Sequence, residues 1–461
     1  MIRLGTLFSG IGAIEQALLR MGEEHINVFA CDNGEIDLKL FPLDDQKEYD
    51  RLRKIPQKDI TNDDRIKLAR MATKERTVVE NLAEQVKQLR TIEEKNEFVQ
   101  EIYRLHSKGR NYVKETYLAN YTINERDFHP DVHFLDGRDY RGQVDLMVGG
   151  SPCQSFSTNG KRGGFADTRG TLFHEYARII EEVQPKCFIF ENVKGLILHD
   201  NGATWATIRN TFQELNYDIY LNKDAKGKEH PLLNAKDYGV PQNRERIYLV
   251  GIRNDIKLTK PFEFPAPVPL ERTNADFLDK QVAAKYYLGQ KGFEFVTTHP
   301  TRAQVGYTIQ KCQKANQQFN WNGDFIFEPL DGHHSKEVLD RAYVGTWNGQ
   351  QGVIRMYTPR ECLRLMGFPD TFVMRLTQKG WSLFYIGCRR VVGRLRQSSA
   401  SLHPPSGTSF LREPLTRPRP ATLCRSLPAT TQLTSLPVFQ QQVPYFEPAC
   451  AWTLLYKQHT S

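Results

Sequence analysis

Over the first 34 residues the alternation of apolar and polar positions traces a strand, a turn, a helix and a second strand. Leu4–Phe8 is apolar and runs into Ser9-Gly10-Ile11-Gly12-Ala13. The pattern then predicts a helix over Ile14–Leu19 and a buried strand over Ile26–Cys31. A long charged stretch follows. Within it Val79, Leu82, Val86 and Leu89 recur at spacings of 3, 4 and 3, and Phe98, Ile102 and Leu105 at 4 and 3. Each set falls on one face of a helix with about 3.6 residues per turn. The expectation is a helical insertion over residues 35–110, shaped as a hairpin and peripheral to any catalytic part.

From about residue 115 strands and helices alternate again. Val144–Val148, Cys187–Phe190, Tyr217–Leu221 and Ile247–Ile252 read as buried strands, with helices at Thr171–Val183 and Thr204–Leu215 between them. Such alternation predicts an α/β fold built on a doubly wound, mostly parallel sheet. Residues 259–350 lose the pattern, are rich in aromatics, Gln and Asn, and read as a smaller lobe. A helical signal returns at Thr358–Gly367. The expected organisation is therefore a main domain from 1–34 and 111–258, the insertion at 35–110, a lobe at 259–350, a return to the main domain at 351–375, and a tail at 376–461.

Composition changes this picture in two places. No apolar run reaches 18 residues, so no membrane-spanning helix is expected, and Met1–Phe8 lacks the basic and apolar regions of a signal peptide. Eight cysteines without disulfide or metal-ligand spacing suit a reducing cytosol, where a special cysteine is more often catalytic than bridged. The net charge of +8 lies wholly in residues 376–461, which hold ten Lys and Arg against two acids; the preceding 375 residues carry 52 of each. Net charge alone is thus no argument for nucleic-acid binding.

Four segments carry candidate chemistry. The glycine turn at Phe8–Gly12 between a strand and a helix suits the close approach of a ligand, with Asp32 at the next strand end able to meet ribose hydroxyls; a purely structural turn fits equally well. Gly149-Gly150-Ser151-Pro152-Cys153 follows a buried strand, which places Cys153 at the mouth where doubly wound sheets bind ligands, although an inert buried cysteine is the commoner case. Glu191 ends an apolar strand, where burial favours the neutral carboxyl that a proton donor needs; a helix cap or structural hydrogen-bonder is the alternative. Finally, Gln242-Asn243-Arg244-Glu245-Arg246 leads into a strand and sets two guanidiniums on one face.

Taken in order, the glycine turn, Asp32, Asp136, Pro152-Cys153, Glu191 and Gln-x-Arg-x-Arg resemble the motif series of cytosine-C5 DNA methyltransferases of the bacterial restriction-modification type. Arg169-Gly170-Thr171-Leu172-Phe173, Pro359-Arg360-Glu361 and Leu365-Met366-Gly367-Phe368-Pro369 extend the resemblance, as do Thr116-Tyr117 and Asn120-Tyr121. The resemblance implies the sheet of class I methyltransferases that use S-adenosylmethionine, and a target-recognition role for the lobe at 259–350. Phe8, Gly10, Gly12, Asp32, Asp136 and Leu172 would then form the cofactor pocket. Cys153 would attack C6 of a flipped-out cytosine, Glu191 would protonate N3, and Arg246 and Arg244 would complete the catalytic set. Gln154, Ser157, Lys161, Arg162 and Gln242 would meet DNA, and Lys311, Lys314, Gln317, Gln318, Asn320 and Asn322 have suitable chemistry for the recognition lobe. The implied partner is double-stranded DNA, met by a monomer in the bacterial cytoplasm and nucleoid, with a cognate restriction endonuclease acting on the same site.

Two rivals share these motifs: a tRNA cytosine methyltransferase, and a catalytically impaired DNA-binding remnant. The second draws on the tail. The 86 residues from Leu376 onward contain no Asp or Asn and nine of the 24 prolines, a composition that favours disorder. Gly387-Cys388-Arg389-Arg390-Val391-Val392 stands where the family carries a Gly-Asn-Ser/Ala-Val segment that completes the cofactor pocket. The expectation is a frame change shortly after Phe372 and an impaired enzyme.

Overall fold

A computed structural model describes residues 1–56, 59–151, 171–224, 226–313 and 321–375. Strand β1 (Ile2–Leu7) passes through the glycine turn into α1 (Ala13–Arg20), and β2 (His25–Cys31) follows. The charged stretch holds three helices, one more than a hairpin: α2 (Leu43–Lys54), α3 (Asn62–Gln88) and α4 (Ile92–His106). Next come α5 (Tyr112–Leu118), β3 (Phe128–His129), β4 (Leu146–Gly149), α6 (Leu172–Val183), β5 (Cys187–Val193) and α7 (Ala203–Glu214). Four strands follow: β6 (Tyr217–Tyr220), β7 (Leu232–Asn234), β8 (Gln242–Asn243) and β9 (Glu245–Arg253). The last part comprises α8 (Gln290–Thr298), β10 (Ala303–Val305), β11 (Gln310–Lys311), β12 (Gly323–Pro329), α9 (Lys336–Arg341), β13 (Gly345–Trp347), β14 (Gln350–Arg355) and α10 (Pro359–Leu365).

The main sheet runs β3-β2-β1-β4-β5-β9-β6, with β7 also paired to β9. Strands β3, β2, β1, β4 and β5 are parallel, and β9 is antiparallel to β5, β6 and β7. This is the doubly wound α/β sheet expected from the alternation. Its strands are apolar on both faces because helices cover both. On one side α6 presents Phe173, Tyr176, Ala177, Ile180 and Val183, at the spacing of one helix face, to Phe188 and Phe190 of β5 and Phe212 of α7. Thr171 caps that helix by accepting from the His174 backbone N–H, and the buried Tyr176 hydroxyl donates to the Ile189 carbonyl at 3.0 Å. On the other side α1 and the chain after β9 cover Leu4, Val148, Ile189 and Val250. Each such side chain removed from water contributes roughly 1.5–3 kcal/mol before entropy is counted.

Two apolar stripes differ from the sequence expectation. Only the end of β2 is buried, and Ile26 is exposed, because β3 pairs with Ala30 and Cys31 alone and leaves the first half of β2 at the sheet's edge. In α4 Ile102 and Phe98 face the core as expected, Lys95 and Val99 are buried beside them, and Leu105 points to solvent. Asp136 and Asp139 hold the Lys95 ammonium inward at 2.8 and 2.7 Å.

A second sheet, β10-β12-β14-β13, forms the later lobe. It is joined to the first part by the parallel pair β8–β11 and by the buried ion pair of Arg355 with Glu361.

Candidate functional site

Strand β1 lies between β2 and β4, so the chain leaves it on one side and returns on the other. The crevice outside the C-terminal ends of those three strands is where sheets of this kind bind ligands. The turn after β1 enters it with Phe8, Gly10 and Gly12 at φ of 54°, 55° and 85°. Gly12 has no substitute, since a Cβ there would lie 2.1 Å from the Tyr121 ring. Asp32, closing β2, accepts from the Gly10 N–H at 3.0 Å and the Gly34 N–H at 2.8 Å, and so ties the turn to the neighbouring strand end. At the end of β4, Ser151 is buried and its hydroxyl has no hydrogen-bond partner among the described residues. A positive-φ turn, an acid and an unsatisfied hydroxyl converge there, a donor and acceptor set that fits a hydroxylated, adenosine-type ligand.

Gly150 links this crevice to a second pocket. A Cβ at Gly150 would meet the Glu191 carbonyl oxygen at 2.5 Å and Glu191 Oε2 at 2.9 Å, so only glycine lets the loop lie against that acid. Glu191 sits near the end of β5, where Val193 faces Arg246 of the antiparallel β9. The diagonal places Glu191 and Arg246 on one face, as an ion pair at 3.1 Å that lacks hydrogen-bond alignment. Burial raises the proton affinity of Glu191 above the usual carboxylate range, over the opposing pull of Arg246 and Arg244. Burial, with the like charge of Arg244, presses Arg246 the other way.

The later lobe closes this pocket. Arg244 Nη1 and Arg246 Nη2 donate to Cys312 Sγ at 3.5 and 3.4 Å. Gln242, expected on a DNA-facing surface, is instead 1 % exposed. Its amide donates to the Leu365 carbonyl and accepts from the Gln313 N–H, so it fastens the lobes together and does not face a groove.

Asp136 is not brought to the crevice. Its carboxylate is taken by Lys95 and Arg138, and the neighbouring Gly137 N–H donates to Glu182 in the last turn of α6. Leu172 opens that helix, and ten residues of rise separate the two ends by about 15 Å. Asp131, two residues after β3, stands closer to the strand ends: its carboxylate accepts from His133 and the Tyr103 hydroxyl, while the adjacent Val132 shares a core cluster with Phe173 and Leu172. Cys153, Gln154, Ser157, Lys161 and Arg162 lie outside the described residues, as do Lys314, Gln317, Gln318, Asn320 and the tail after Arg375. Lys311 lies in β11, and Asn322 accepts from Arg302. Among the described residues no cluster of His, Cys, Asp or Glu could hold a metal, and no helix is long and apolar enough to cross a membrane.

Residues 102–387 match the family model described as C-5 cytosine-specific DNA methylase. Over 269 residues the chain is 36% identical to the Type II methyltransferase M1.ScrFI of Lactococcus lactis subsp. cremoris, covering 57% of this chain and 62% of that one. Over 234 residues it is 35% identical to the Type II methyltransferase M.HhaI of Haemophilus parahaemolyticus, covering 50% and 66%. The match thus spans less than two thirds of either relative. Among solved structures, Dnmt2 methyltransferase of S. pombe superposes with a TM-score of 0.51 at 14% identity, over 85% of this chain and 94% of that one, a likeness of fold.

Proposed function

The chain belongs to the C-5 cytosine-specific DNA methylase family, and from that premise we propose that it methylates C5 of a cytosine flipped out of duplex DNA, with S-adenosylmethionine as donor and Cys153 as nucleophile. The observation that carries this reading is Glu191. It is a carboxyl with raised proton affinity, held between the glycine backbone at Gly150 and the Arg246 guanidinium at the mouth of a doubly wound sheet.

Cytosine C5 is a weak nucleophile. Addition of a thiolate at C6 with a proton delivered to N3 converts the ring to an enamine that can take up a methyl group, after which loss of the C5 proton expels the thiol. Glu191 is suited to give and hold the N3 proton, because burial raises its proton affinity above that of an exposed carboxylate. Arg246, beside it, suits the base carbonyl oxygen, and Arg244 holds Arg246's partner Cys312 in place. S-adenosylmethionine, when bound, supplies the electrophilic methyl group. Phe8, Gly10, Gly12, Asp32, Ser151 and Leu172 would line its crevice, with Asp131 in the position first given to Asp136. The substrate base must leave the helical stack, at a cost of a few kcal/mol.

Duplex DNA containing 5-fluorocytosine tests the reading, since fluorine at C5 cannot leave as a proton. With S-adenosylmethionine present, the wild-type chain should form an adduct that survives denaturing electrophoresis, and Cys153→Ser should not; no adduct from the wild-type chain would instead favour the catalytically impaired remnant. Glu191→Gln should lower turnover on unmethylated plasmid DNA by about 10²–10⁴-fold with cofactor binding unchanged. An adduct that persists in Cys153→Ser, or methyl transfer to tRNA in preference to DNA, would overturn the assignment.

A further inference from the structure

Glu15 is a fully buried carboxyl that the reaction proposed above does not use. It lies in the first turn of α1, three residues after Gly12. Its Oε1 accepts from the Thr6 hydroxyl at 2.9 Å and from the Tyr117 hydroxyl at 2.6 Å. Oε2 has no hydrogen-bond partner among the described residues. Thr6 belongs to β1, so its bond to Glu15 closes a ring around the whole glycine turn, from the strand that enters it to the helix that leaves it. Tyr117 lies in α5, and the chain just beyond that helix brings Tyr121 to the same turn. The Tyr121 hydroxyl donates to the Gly12 carbonyl at 2.6 Å, and its ring stands 4.9 Å from that of Tyr117.

The turn needs such support. Gly12, at the start of α1, supplies no side-chain cap, and Phe8 stands at a φ of 54°, a conformation that non-glycine residues keep only where their surroundings enforce it. Burying a carboxyl is itself costly unless hydrogen bonds offset it, and here both donors come from elements that flank the turn. We propose that Glu15 is a positioning residue for the cofactor: by fastening Thr6 and Tyr117 it holds Phe8–Gly12 in the shape that receives the ligand. Being fully buried, it acts through the turn and not on the ligand. A turn already in its bound shape loses less freedom on binding, which raises affinity. That the ligand is S-adenosylmethionine rests on the function proposed above; the clamp on the turn does not.

Amide hydrogen exchange of the full chain, read by mass spectrometry, and titration with S-adenosylhomocysteine test this together. Glu15→Ala removes both bonds, and Thr6→Val removes the one that closes the ring with little change of shape. Glu15→Gln keeps the Oε1 acceptor and puts its nitrogen where no bond is lost. Without ligand, the Phe8–Ala13 amides should exchange at least about tenfold faster in Glu15→Ala and Thr6→Val, the factor given by one net hydrogen bond. Exchange in β5 should not change, which shows that the sheet is intact. The dissociation constant for S-adenosylhomocysteine should rise by a similar factor while affinity for plasmid DNA holds, and Glu15→Gln should behave as wild type in both. Should Glu15→Ala fail to fold, Thr6→Val carries the comparison. Unchanged exchange at the turn in Thr6→Val, a loosened turn with full cofactor affinity, or a Glu15→Gln as loose as Glu15→Ala overturns the proposal. A wild-type chain that does not bind S-adenosylhomocysteine, with the turn still loosened in the variants, would instead overturn the assigned cofactor and leave the clamp standing.

Discussion

The helical insertion and the later lobe are both additions to the main sheet, and they are attached by different means. The insertion has a small core of its own, in which Val86, Val99 and Ile102 close on Phe134. Its other ties to the main part are Ile92, which packs against the main core, and polar contacts of Lys95 with Asp136 and Asp139, Tyr103 with Asp131, and the Lys87 carbonyl with Arg138. The later lobe shares backbone pairing with the main part through β8 and β11, and its Ile326 packs in one core cluster with Ile11, Tyr117, Leu363 and Phe368. It also delivers Cys312 to Arg246, the partner of Glu191, and Gln313 to Gln242. An element held by side-chain tips can be lost with little movement of the site, whereas one joined through the backbone is part of the site.

The strongest way to break this contrast is Arg355→Met. Arg355 and Glu361 are both fully buried and share two hydrogen bonds of 2.9 Å, and Glu361 also accepts from the Thr358 and Asp279 N–H groups. Removing the cation leaves that carboxylate without its guanidinium, a loss of about 3–5 kcal/mol for a pair of this kind. Urea denaturation should show it, and methyl transfer should fall as the lobe loosens. A loss under about 1 kcal/mol would mean that the lobe is not anchored there.

Lys95→Met is the matching change in the insertion. Asp136 keeps its contacts with Arg138, so the cost should be smaller, about 1.5–3 kcal/mol as for a hydrogen bond to a charged group. Turnover and sequence preference on plasmid DNA should stay within about twofold, consistent with the insertion lying outside the reaction. A changed preference with the fold intact would make the helices part of the DNA-reading surface.

The sheet was legible in the sequence because strands covered on both faces must be apolar along their length, and Glu191 stood out as an acid at the end of such a run. Asp136 was taken from the motif series, and β3, only two residues long, shows no alternation that would have marked Asp131 as lying beside the strand ends. Lys95 sat in a charged helix where nothing local separates a buried lysine from a solvated one; only its partners 41 and 44 residues away decide it. Cys312 belongs to no motif and lies 66 residues from Arg246, so the contact exists only once β11 pairs with β8. Gln242 was read as a surface contact because a polar side chain beside two arginines gives no sign of burial.

The smallest expected effect sharpens the comparison at β3, where insertion and sheet meet. His129 is buried in β3, and its Nε2 lies 2.8 Å from the Tyr140 hydroxyl, which itself donates to Asp127 at 2.9 Å. The hydroxyl proton is therefore committed, and the neutral ring is the donor. Burial, then the charges of Lys114 and Lys95, lower the His129 pKa from 6.5 to about 3. In the unfolded chain the ring takes up a proton near its ordinary pKa; in the folded one it does not. The unfolded state thus binds more protons between those two values, and stability falls as the pH drops below about 6.5. The slope is at most about 1.4 kcal/mol per pH unit, so about 1–2 kcal/mol should go between pH 7 and pH 5. His133, paired with Asp131 four residues on, has the opposite sign: its raised pKa adds stability in acid that is lost as the pH rises. Wild-type melting alone mixes the two, and the difference between wild type and His129→Gln isolates the first. The variant should be less stable at pH 7 but lose less on acidification. Parallel curves for the two proteins would mean that His129 takes up its proton in the folded state as readily as in the unfolded one.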